Sequence, residues 1–80
     1  MRFQSRWDNA VYVVRPTYII NIAPGQQDIK YGVKAVFSGR DRIFDSEAAQ
    51  AANRWTDEQR VEVEQYLLAH RDFGNGLYLA

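Results

Sequence analysis

The chain has no cysteine, one histidine, two prolines and no uninterrupted apolar run long enough to cross a bilayer. Without cysteine no disulfide can form. A lone His70 cannot assemble a zinc site, which takes several His or Cys ligands. Neither GxGxxG nor GxxxxGK[ST] occurs, so no phosphate-cradling loop is expected. The start, Met1 to Trp7, lacks the apolar centre of a signal peptide. Formal net charge is zero, whereas dedicated nucleic-acid binders carry a basic excess. These absences predict a protein without cofactor, metal or membrane span, present in the cytoplasm of a producing cell or in a particle assembled there.

Eighty residues suffice for one domain. A domain this small buries only about 60–65% of its unfolded surface, so it gains from a partner. Charge is unevenly placed. Residues 1–44 hold seven basic and three acidic side chains, and residues 45–80 hold three and seven. The basic half can meet the acidic half within one molecule, or face an anionic partner through Lys30, Lys34, Arg40 and Arg42.

Val11–Val14 and Thr17–Ile22 are β-branched and aromatic, as strands prefer, with Pro16 marking an edge or a strand end. Ala23 to Asp28 reads as a turn, Pro24 and Gly25 fitting the central positions of type II. Period-two alternation then runs from Ile29 to Phe37. It places Ile29, Tyr31, Val33, Ala35 and Phe37 on a buried face and Lys30, Gly32 and Lys34 on a wet one. Ser38–Asp41 closes this strand, and Arg42–Phe44 is predicted to return beside it. Asp45 and Ser46 cap a short alanine-rich helix that ends at Asn53. Thr56-Asp57-Glu58-Gln59 is a capping box opening a second helix over about 57–70, with Trp55 placed as a hydrophobic staple. The expected fold is α+β: a small antiparallel sheet of three to five strands packed with one or two C-terminal helices, in a single domain spanning 1–80.

On the second helix Val63, Tyr66, Leu67 and His70 share one face. Val61 and Leu68 form a surplus stripe, to be covered by the alanine-rich helix or by another subunit. Glu58, Glu62 and Glu64 are expected near its solvated side. His70 beside Asp72 has no serine or cysteine in a nucleophilic setting, and a histidine in the last turn of a helix serves the helix end. No catalytic residue is expected. Tyr31 and Phe37 alternate with the lysines, which suits a core and a basic outer surface better than a base-stacking face.

The two termini carry the remaining expectations. Phe3, Arg6 and Trp7 either finish the first strand or form an N-terminal arm (1–8) that docks on a partner. Leu77, Tyr78 and Leu79 follow an Asn75-Gly76 turn. They either pair with their own sheet or extend as a C-terminal arm (74–80) into a neighbour's. If the tail is an arm, removing Leu77–Ala80 abolishes assembly and leaves the monomer folded.

The alternation Ile29-Lys30-Tyr31-Gly32-Val33, the acidic capped helix and the closing Leu67-x-x-His70-x-x-Phe73-Gly74 resemble small structural proteins of tailed bacteriophages. The resemblance covers roughly Ile29 to Gly74, with the alanine-rich stretch Ser46–Asn53 as an insertion. It implies a non-enzymatic virion component (decoration, minor capsid or connector-associated) whose partners are other virion subunits or itself. A small inhibitor of a host protein, such as an anti-defence protein, is the alternative, and a nucleic-acid-binding domain ranks third.

Overall fold

A computed structural model describes all residues, Met1–Ala80, and the fold is α+β. Seven short strands, Arg2–Ser5 (β1), Ala10–Arg15 (β2), Tyr18–Ala23 (β3), Gln26–Lys30 (β4), Val33–Phe37 (β5), Ile43–Asp45 (β6) and Leu77–Leu79 (β7), accompany two helices, Ser46–Asn53 (α1) and Asp57–Ala69 (α2). The strands form three antiparallel ladders, β6–β1–β7, β2–β5 and β3–β4, in place of one sheet.

Both helices begin where their capping residues predict. Asp45 accepts from the Glu47 and Ala48 amides at 3.1 and 3.3 Å. At α2 the box is complete: Thr56 Oγ1 accepts from Gln59 N–H at 3.1 Å, and Gln59 Oε1 accepts from Thr56 N–H at 2.8 Å. Val63 and Leu67 bury the predicted face of α2 in a core of nine side chains that also takes in Phe3, Tyr12, Val33, Ala35, Phe37, Phe44 and Leu77. Aromatic rings run through it, Tyr12 edge-on to Phe37 at 5.6 Å, Phe37 to Phe44 at 5.6 Å, and Phe44 to Trp55 at 6.3 Å. Trp55 therefore packs toward the core.

Several expectations are corrected. The termini are not arms: β1 is a central strand, with β6 on one side and β7 on the other, in the registers Phe3↔Phe44 and Phe3↔Leu79. Phe3 and Leu77, expected at a partner surface, are fully buried. Pairing across more than seventy residues leaves no local sign in the sequence. The segment after Arg42 returns beside β1, and β5 pairs with β2. Glu64, expected near the solvated side of α2, is buried. It accepts from the fully buried Ser46 hydroxyl at 2.6 Å and from Arg60 at 2.8 Å, which compensates the desolvation of its charge. Beside it the Met1 amino group bonds Glu47 and holds that carboxyl down to about 2.

The largest departure concerns the strand expected to run unbroken from Ile29 to Phe37. Val33, Ala35 and Phe37 are buried, but Ile29 is 44% and Tyr31 is 77% exposed. The register on either side of the gap is continuous, Arg15↔Val33 below and Tyr18↔Lys30 above. Residues 10–37 thus make one long hairpin ribbon, interrupted at a waist of Pro16, Thr17, Tyr31 and Gly32. Pro16 has no N–H to give to the ladder, and Gly32 N–H donates to Thr17 Oγ1 at 2.9 Å. Below the waist the ribbon packs on α2. Above it, all of β3 is exposed, and the molecule measures 47 × 24 × 21 Å.

Candidate interaction surface

The overhanging half of the ribbon is built from residues that favour strands and are short of anything to pack against. Its tip is the predicted Pro24-Gly25 turn, with Gly25 at φ 77°, and a register shift at Ile22 precedes it. Opposed residues of an antiparallel pair lie on one face and successive residues alternate. One face therefore carries Ile19 opposite Ile29 and Asn21 opposite Gln27, with Tyr31 in step. The other carries Tyr18, Ile20, Asp28 and Lys30. The Asp28–Lys30 ion pair, 2.9 Å long, lies on the second face and raises the Lys30 pKa by hydrogen bonding and charge. The first face holds no charged side chain. By alternation it continues the face that Val33, Ala35 and Phe37 present to α2.

Exposure here is unusual in degree. Tyr18, Ile19, Ile20, Ile22, Ile29 and Tyr31 belong to a set of fifteen large apolar residues at the surface, against nine in the core. Scattered exposed apolar residues need no explanation. Six on one two-stranded projection do, because an isolated hairpin is marginally stable in water and here apolar side chains stand on both of its faces, Ile19, Ile29 and Tyr31 on one and Tyr18 and Ile20 on the other. No family model, curated protein or solved structure matches this chain. What the surface does must be read from its own chemistry.

The residues singled out in the sequence fall elsewhere. Trp7 lies over Gly76, where a Cβ would stand 2.7 Å from its ring Cζ3, and the Arg6 guanidinium sits 4.6 Å above the Trp7 ring. Arg6 N–H donates to the Gly76 carbonyl at 2.7 Å. Trp7 is thus engaged with its own tail. Tyr78 and Leu79 remain about half exposed at the β7 edge, and Val61 and Leu68, each 39% exposed, are left uncovered by α1. The four basic residues do not act together. Lys30 is on the overhang with Asp28, Lys34 is on β5 opposite Val13, and Arg40 and Arg42 are in the β5–β6 connection. With Arg6, Gln4, Ser5, Asp41 and Tyr78, these two arginines line an open depression of about 390 Å³, where Arg42 donates to the Arg6 carbonyl.

His70 caps α2, its N–H donating to the Leu67 carbonyl at 3.3 Å and its Nδ1 accepting from Asp72 N–H at 3.0 Å. The Tyr12 hydroxyl donates to Asp72 Oδ2 at 3.0 Å, and the Tyr12 ring meets His70 edge-on at 4.8 Å. This cluster ties the turn after α2 to β2. Burial, followed by the hydrogen bond to Asp72, pushes the Tyr12 phenol up to about 12 from 10. A phenol raised in the folded state contributes stability that is complete below pH 10 and lost as pH rises toward 12. Alkaline unfolding followed by circular dichroism should show this loss in the native protein. Tyr12→Phe should lack it, while being less stable at neutral pH by about 1 kcal/mol.

Proposed function

We propose that this chain is a non-enzymatic assembly subunit that engages a protein partner through the overhanging half of its β-ribbon. The observation that carries the proposal is the six large apolar side chains displayed on β3, β4 and Tyr31, beyond the reach of the chain's own helices. A protein partner suits the surface because its only charges, Asp28 and Lys30, already satisfy each other. An anionic polymer needs free cations along its contact. The role agrees with what the resemblance to small tailed-phage structural proteins implies, a virion component held by subunit contacts. Repetition in a shell turns individually weak contacts into firm attachment.

The test is sedimentation of the full chain in a lysate of its source cells, compared with the double variant Ile19→Lys, Ile29→Lys. These two opposed residues make no core contact, so the variant should keep the native circular dichroism spectrum. The native chain is expected in a particle-sized fraction and the variant near the monomer position. A single small complex with one host protein would favour the inhibitor reading instead. A native chain that sediments as a free monomer overturns the proposal.

A further inference from the structure

We propose that the depression between β1, β7 and the β5–β6 connection binds a nucleoside monophosphate, its phosphate held by arginines and its base laid on Tyr78. This site lies apart from the overhanging ribbon and does not depend on what the ribbon holds.

Ion pairing sets the depression apart. Arg2, Arg15, Lys30 and Arg60 each pair with a carboxylate at 2.8–3.4 Å. Arg6, Arg40 and Arg42 pair with none, and all three line this one depression. Asp41 lines it with them and pairs with no cation either. Three arginines against one aspartate leave a formal charge of +2 around about 390 Å³. Like charges gathered in this way repel, and a bound anion offsets the repulsion.

The arginines are also held in place. Ser5 N–H donates to the Arg42 carbonyl at 3.1 Å, and the Gln4 side-chain amide donates to the Asp41 carbonyl at 3.2 Å, which fastens the connection to β1. Arg42 takes a left-handed φ of 54°, uncommon for a long side chain, and a guanidinium N–H bonded to the Arg6 carbonyl sets its direction. The Arg6 guanidinium rests over the Trp7 ring, which itself rests on Gly76. Guanidinium groups fixed in advance suit the paired oxygens of a phosphate. Side chains here take the place of the glycine-rich phosphate loop that the sequence lacks.

The remaining residues select the ligand. A charge of +2 matches a phosphate monoester, mostly dianionic at neutral pH, better than a singly charged carboxylate. A nucleic-acid strand needs cations along a track, and Lys30 and Lys34 stand on other strands, away from the depression. Tyr78, 47% exposed, offers a ring face to a base. The free Asp41 carboxylate accepts only, so it suits a ligand with donors such as ribose hydroxyls.

Isothermal titration calorimetry of the full chain at low salt, with adenosine 5′-monophosphate as probe, should give a dissociation constant on the order of 100 µM. Inorganic phosphate should bind roughly 10-fold more weakly for want of a stacked base, and adenosine should give no heat. Arg40→Gln should weaken the nucleotide at least ~10-fold. Tyr78→Thr should lower nucleotide affinity to that of inorganic phosphate and leave phosphate binding unchanged. Neither side chain is buried, so both variants should keep the native circular dichroism spectrum. The Ile19→Lys, Ile29→Lys variant should bind the nucleotide as the native chain does, which separates this result from the ribbon's. No heat from the nucleotide up to about 5 mM overturns the proposal. So does equal binding of adenosine or of inorganic phosphate, or an unchanged affinity in Arg40→Gln. Tighter binding of an octathymidylate strand overturns it in favour of a nucleic-acid surface.

Discussion

Removing Leu77–Ala80 is expected to unfold the protein, with loss of the cooperative thermal transition and of the native circular dichroism spectrum at 25 °C. Leu77 is fully buried, and truncating a buried leucine to alanine alone costs about 2–5 kcal/mol. The deletion also strips β1 of a neighbouring strand. It removes the bonds from Leu77 N–H to the Asp72 carbonyl at 3.0 Å, from Gly74 N–H to the Leu77 carbonyl at 2.7 Å, and from Ala80 N–H to the Arg2 carbonyl at 3.0 Å. A domain of this length is stable by roughly 4–12 kcal/mol, and a nine-residue core places it toward the lower end. Leu77→Ala separates the contributions: it should remain folded and melt at a lower temperature. A truncated chain that keeps its native spectrum and transition would show that β7 is a detachable arm after all.

Gly32→Ala is expected to be nearly as damaging, for a different reason. A Cβ at Gly32 would collide with the Arg15 carbonyl oxygen and approach the Pro16 carbonyl carbon and Thr17 nitrogen to 2.5 and 2.7 Å. All three are backbone atoms of the facing strand, so no side chain can swing aside. Forcing the strands apart at the waist should cost about 3 kcal/mol and lower the melting temperature by about 15 °C. Gly39→Ala is the control. Its φ is 87° with nothing within 4 Å of a Cβ, so it carries only the left-handed penalty of about 1–2 kcal/mol. Equal effects from the two substitutions would mean that close approach at the waist is unimportant.

How much of this was legible in the sequence depends on the range of the interaction. The capping box at Thr56, the Asp45 cap, the Pro24-Gly25 turn and the Val63/Leu67 face of α2 rest on neighbours within a few residues, and the structure has them where the pattern put them. Phe3, Leu77 and Glu64 were misplaced because their environment comes from distant chain: β1 meets β7, and Glu64 meets Ser46. Alternation put Ile29 and Tyr31 in phase with Val33 and so on a buried face, where the structure leaves both exposed. It could not show that α2 ends short of them, since a period states which face is apolar and not what lies over it. A signal for the overhang was nonetheless present. Tyr18-Ile19-Ile20 is apolar on both faces of a strand and free of charge, a pattern suited to a strand covered on both sides. Two short helices cannot cover both that run and the Val33–Phe37 face.

The waist at Pro16 and Gly32 also divides the chain by what each part must satisfy. No side chain of β3 or β4 enters the core, so the distal ribbon can change its residues, lengthen or shorten without disturbing the body that carries it. Substitutions among the dozen or so positions of the overhang are therefore expected to leave the stem's melting temperature almost unchanged, much as a tool accepts different bits in one handle.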